Sequence, residues 1–205
     1  MTMQKLFFNA VFILLTISSL SAQRGFDLSL VAGLNASQIA GDQLAGFDKL
    51  GINSGLKIGY RIKPKMDLGF EMLFSQKGSI AKRRLVAPGG NRMNTTLNYL
   101  DFPVYVTFYD WFQESGDYFK VGVHGGLSYS YLLSRRLNNE RIDNIDDLRN
   151  FDLMALLGVH YAFTENWTLL VRYSNSFIRI YQNPNDPNVR GWVNYHWTVR
   201  ADYRF

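Results

Sequence analysis

From Val193 to Phe205 the chain alternates strictly. Val193, Tyr195, Trp197, Val199, Ala201, Tyr203 and Phe205 share one parity, and Asn194, His196, Thr198, Arg200, Asp202 and Arg204 share the other. Trp192, on the polar parity, is the exception just before it. A period of two predicts a strand with one apolar face, and this length crosses a bilayer as a tilted strand. The same alternation recurs in Phe26–Gln38, Ile52–Lys63, Asp67–Lys77, Leu97–Tyr109, Phe119–Leu133, Phe151–Phe163 and Trp167–Phe177. That makes eight strands, the smallest common number for an outer-membrane barrel.

The spacers sort by length. Lys63–Met66, Asp110–Asp117 and Thr164–Asn166 are short. Ile39–Gly51, Gly78–Thr96, Ser134–Asn150 and Ile180–Gly191 are longer and polar or rich in Gly and Pro. Short periplasmic turns and long extracellular loops are the outer-membrane arrangement, which puts both termini in the periplasm. Beyond the first residues no apolar run is long enough for a spanning helix. A membrane location therefore requires a closed barrel, because open sheet edges are not tolerated in lipid.

A soluble eight-stranded barrel with its apolar face inward has the same period. Three features favour the membrane. The polar face carries charge beside Gly and Ser. Aromatics such as Tyr60, Trp111, Phe163, Trp167 and Phe205 gather at the short-turn ends, as an interfacial girdle requires. The chain also stops on its last strand. The expectation is an eight-stranded antiparallel transmembrane β-barrel of OmpA or OmpX size.

Lys5, the apolar run Leu6–Leu15 and the small residues to Ala22 read as a secretory signal peptide over residues 1–22, leaving 23–205 as one barrel domain. The chain has no Cys, which excludes disulfides and thiolate chemistry. Its net charge of +5 is modest and dispersed, so nucleic acid is not an expected partner.

Several phrases resemble the PorT-family outer-membrane β-barrel proteins of Bacteroidetes-type Gram-negative bacteria, often labelled a porin family. They are GLNASQIAGD (Gly33–Asp42), EMLFSQKG (Glu71–Gly78), YLDFP (Tyr99–Pro103), GLSYSYLLS (Gly126–Ser134) and DYRF (Asp202–Phe205), where the family's usual Gly is Asp202. The resemblance implies an outer-membrane barrel without assigned activity, with one namesake in type IX secretion and gliding. It also implies that Tyr203 and Phe205 belong to a C-terminal assembly signal read by the barrel assembly machinery.

The inward face holds Glu71, Asp101, Lys57, Arg61, Lys120, Arg172 and Arg200. An eight-stranded barrel has room for side chains and no water channel, and buried charges must pair. These seven are expected to form an interior charge network that plugs the barrel. Pro103, mid-strand, removes a ladder hydrogen bond and is expected to mark a bulge or kink. His124, His160 and His196 share the inward parity without close ligand spacing, so they are expected to be hydrogen-bonded lumen residues and no metal or cofactor is expected.

No catalytic constellation is expected. A lipid A-modifying enzyme would need a His–Ser pair with a carboxylate on the lipid-facing side, and that parity carries no His, Asp or Glu. Basic residues Lys82, Arg83, Arg84 and Arg92 in one long connection, and Arg135 and Arg136 in another, are candidates for contact with lipopolysaccharide phosphates. The expected role is structural or accessory, through these loops or an envelope partner. A small passive pore or ligand-binding barrel is the alternative, and a membrane enzyme comes third.

Overall fold

The computed structural model describes residues 25–42, 46–81, 94–138, 148–182 and 191–205. The expected signal peptide and the basic residues Lys82, Arg83, Arg84 and Arg92 lie outside them. Eight strands form: β1 (Phe26–Ala40), β2 (Lys49–Lys63), β3 (Met66–Ile80), β4 (Asn94–Gln113), β5 (Tyr118–Asn138), β6 (Phe151–Ala162), β7 (Trp167–Ser176) and β8 (Val193–Arg204). Each pairs antiparallel with the next, and β1 pairs with β8, closing the barrel in sequence order.

The apolar parity faces outward. Leu30, Leu34, Ile58, Phe70, Phe74, Leu127, Leu157, Val159 and Val199 are exposed on the wall. Their polar neighbours Ser29, Asn35, Glu71, Ser128, Arg172, Arg200 and Asp202 are buried inside. This inverts a water-soluble barrel and suits lipid, where every backbone group must bond within the wall. Among the described residues no helix is long and apolar enough to cross a membrane; strands do the crossing.

Strand heights are unequal. β4 and β5 have 20 and 21 residues, and β7 has 10. β5 runs to Asn138, so Arg135 and Arg136 lie on a strand and not in the connection where the spacing put them. A bulge between β4 and β5 changes their sides. Asn98 pairs with Ser134 and Tyr99 with Leu132, leaving Leu133 extra. Below the bulge even residues of β5 face inward, as Ser128 and Ser130 do; above it Ser134 and Arg136 face outward. Pro103 behaves differently from expectation. The β3–β4 ladder runs to Phe70↔Val104 and resumes at Leu73↔Asp101 in the same register, so the missing N–H makes a gap and not a bulge.

At the long-connection end the interior turns apolar. Ile39, Leu97, Tyr99 and Leu132 from the strands pack with Leu148, Ile180, Tyr181 and Trp192 into one buried cluster. Backbone bonds tie its connection residues together: Ile180 N–H donates to Trp192 O (2.8 Å), and Arg149 N–H to Ile180 O (2.8 Å). Trp192, the exception to the polar parity, is therefore an inward cap residue.

Candidate functional site

Below the apolar cap the lumen is filled with paired charges. Glu71 on β3 is fully buried. Arg172 of β7 donates to it twice, Nη1 to Oε2 at 2.8 Å and Nη2 to Oε1 at 3.0 Å. Arg200 of β8 also donates twice, Nη1 to Oε2 at 3.0 Å and Nη2 to Oε1 at 2.5 Å. The Tyr105 hydroxyl of β4 adds a bond to Oε1 at 2.6 Å. Two bidentate forks on one carboxylate are the strongest arrangement these groups allow.

The clamp extends sideways. Arg200 Nε lies 2.9 Å from Asp202 Oδ1, and Lys57 Nζ lies 3.2 Å from Asp202 Oδ2. Arg172 Nε donates to His124 Nε2 at 3.0 Å, so that imidazole is an acceptor on this edge. His124 stacks on His160 with ring centroids 6.3 Å apart. His196 sits elsewhere, opposite Ser174. No group of three or more metal-ligating side chains occurs among the described residues.

A second tier lies between clamp and cap. Lys77 Nζ donates to Asp101 Oδ1 (2.9 Å) and Ser130 Oγ (3.2 Å), and sits 4.8 Å from the Tyr99 ring centroid. Asp152 is bonded by Ser176 and by Asn194 Nδ2, the latter at 2.9 Å. Asp101 is thus neutralised by Lys77, a residue of the inward parity that the sequence-based network omitted.

The expected network therefore divides. Arg172 and Arg200 meet on Glu71, and Asp202 links Arg200 to Lys57, while Asp101 belongs to the upper tier. Arg61 pairs at the rim with Asp67. Lys120 does not join: its amine sits 5.3 Å from the Trp111 ring centroid, at the short-turn end. Trp111 has φ 58°, which interrupts the extended alternation there. Phe112 and Phe119 then line the barrel mouth, although the alternation had put Phe119 toward lipid.

That mouth is a cup of about 370 Å³. Two ion pairs, Lys57–Asp202 and Arg61–Asp67, lie in its lining. Tyr109, Phe112 and Phe119 supply an aromatic wall, and Thr107 and His160 line it beside them. The volume is that of a small-molecule site. At the other end Arg135 Nη1 donates to Leu148 O at 3.3 Å, while Arg136 is exposed. Tyr203 and Phe205 meet edge to face (5.4 Å) on the outer wall.

A closed barrel, apolar outside and ion-paired inside, agrees with comparisons of sequence and fold. The family described as outer membrane protein beta-barrel domain matches residues 16–182. The chain belongs to this family. Its fold is similar to that of Ail, the attachment invasion locus protein of Yersinia pestis, at 14% identity and TM-score 0.50, covering 89% of this chain and 100% of that one. Weaker likenesses are to Neisserial surface protein A (16% identity, TM-score 0.46, 88% and 97% covered) and OprG of Pseudomonas aeruginosa (13%, 0.44, 88% and 96%). No curated protein matches the chain. Family membership makes this an outer-membrane β-barrel protein.

Proposed function

We propose that this protein is a closed, non-enzymatic outer-membrane barrel that acts through its long-connection end and through envelope partners. The observation that carries the reading is the doubly clamped Glu71, which spans the lumen from β3 to β7 and β8. Cap, Lys77–Asp101 tier and clamp lie in series. In this reading the long connections face outside, both termini face the periplasm, and the basic connection bearing Lys82, Arg83, Arg84 and Arg92 meets lipopolysaccharide. The secretion role of the PorT namesake is the most specific partner hypothesis. The first test is planar-bilayer recording of the refolded barrel. No unitary conductance is expected, and reproducible ohmic steps would overturn the closed reading. Crosslinked capture from native outer membranes tests the partner: stoichiometric recovery of secretion components supports an accessory subunit, and recovery alone counts against it.

The aromatic-walled cup favours one second reading, a barrel that takes a small ligand at its short-turn mouth. Saturable ligand binding lost on Thr107→Trp, which fills the cup, would support it.

A further inference from the structure

On the outer wall, the long-connection end of β3, β4 and β5 carries three successive rungs of different chemistry. The lowest is Phe74, Leu100 and Tyr131, in register across the three strands. The next is Gln76, Asn98 and Ser134, again in register. These three bond to one another on the lipid-facing side: Gln76 Nε2 donates to Asn98 Oδ1 (3.0 Å) and Asn98 Nδ2 to Ser134 Oγ (2.9 Å). The third rung is Gly78, Thr96 and Arg136.

Two cations bracket Thr96. Arg136 pairs with it in register, is exposed, and has no ion-pair partner among the described residues. Lys49 comes from β2, on the far side of β3. The β2–β3 pairing runs only to Asn53↔Ser75, and above it β1 bonds straight to β3, as Ser37 Oγ does to Gly78 O (3.1 Å). Lys49 thereby reaches across the level of Gly78. Its Nζ donates to Thr96 Oγ1 at 2.6 Å and to Asn94 Oδ1 at 2.9 Å. Both acceptors are neutral, so the ammonium is positioned without a neutralising carboxylate among the described residues. At this rung β3 and β4 approach closely: Gly78 has φ 145°, and an added Cβ would stand 2.0 Å from Thr95 O.

Apolar rung, neutral amide–hydroxyl rung and cation rung follow the layering of an anionic glycolipid: acyl chain, sugar and linkage oxygens, phosphate. Lipid-facing polar side chains held in a ladder are costly in hydrocarbon, and here they lie at the height where acyl chain gives way to headgroup. The bulge at Asn98/Tyr99 turns Ser134 and Arg136 to this face, and without it they would point into the lumen.

We infer that this wall is a docking site for a phosphorylated outer-leaflet glycolipid, its phosphate held between Lys49 and Arg136 and its sugar against Gln76, Asn98 and Ser134. This rests on the proposed orientation, with the long connections outside. Charge-assisted bonds from guanidinium and ammonium supply the recognition.

The test uses the full barrel refolded in detergent, with diphosphoryl lipid A as probe and its dephosphorylated form as control. Lys49→Gln and Arg136→Gln should each weaken diphosphoryl lipid A binding about tenfold, the loss of one charge-assisted contact. Binding of the dephosphorylated form should not change between wild type and variants. Millimolar inorganic phosphate should not compete; competition would make the site one for a free anion and overturn the lipid assignment. Unaltered heat-modifiable mobility shows that the variants fold, and equal affinity of folded variants and wild type overturns the site. Because the chain has no Cys, Asn150→Cys, exposed at the long-connection end and outside the proposed site, gives a single label for orientation. Reaction with an impermeant maleimide in intact cells is expected. Labelling only after permeabilisation would overturn the orientation, and with it the outer-leaflet ligand, independently of the affinity result.

Discussion

At Glu71 five hydrogen bonds converge on two carboxylate oxygens. Replacing it by Gln keeps the shape, leaves Arg172 without its anion and leaves Arg200 with Asp202 alone. Breaking one side of a buried pair costs ~3–5 kcal/mol, so Glu71→Gln should unfold at distinctly lower urea in a gel-shift titration of the refolded barrel. Adding Arg172→Met to Glu71→Gln should recover part of that loss, because it removes a stranded charge; a fully additive double variant would show that the pair is not coupled. Gly69 is a quieter control on the same carboxylate. A Cβ there would stand 2.4 Å from the Tyr105 ring, so Gly69→Ala must displace the phenol that bonds Glu71. Overpacking of this kind costs ~1–3 kcal/mol, and unchanged stability would mean that the ring moves freely. Individual residues are also where sequence reasoning reached its limit. Glu71, Arg172 and Arg200 were recognisable as inward charges by parity alone. Which base meets which acid depends on the stagger of strands around the barrel, which no local pattern encodes. Asp101 therefore found Lys77, and Asp202 became a partner of both Lys57 and Arg200.

Among the elements, existence and facing of the strands were readable because lipid outside and charge inside enforce the alternation along each one. The ends were not readable. β4 and β5 continue past their amphipathic stretch to Gln113 and Asn138, through residues without a period of two in polarity. A left-handed Trp111 and one extra residue at Leu133 each reset the parity, and neither leaves a Gly or Pro signal at the position. The apolar cap was hidden for another reason: half of it comes from connections, where no period operates. Trp192 is its bulkiest member. Trp192→Ala should cost ~3–5 kcal/mol and abolish much of the near-ultraviolet circular dichroism, while the eight-stranded wall persists. Retained dichroism would place the indole outside a packed cluster.

The whole molecule is a closed wall around three plugs in series, so removing one should not make a pore. Trp192→Ala alone is expected to stay silent in planar bilayers. Conductance from that single variant would show that the two charged tiers do not seal. The wall itself should give a heat-modifiable band, folded and unfolded forms migrating differently, and identical mobility would argue against a barrel.

The clamp also joins distant parts of the chain. Arg172 and Arg200 follow Glu71 by 101 and 129 residues. Until β7 and β8 arrive, that carboxylate lacks both guanidiniums and has only Lys57 opposite it in its own hairpin. A bare carboxylate does not survive in hydrocarbon, and contacts this remote in sequence form late. A β2–β3 hairpin entering the bilayer singly would carry Glu71 into oil without its clamp. Glu71 must instead stay hydrated until the sheet is nearly whole, so the lumen is wet throughout biogenesis and its water leaves only when the last strand meets the first.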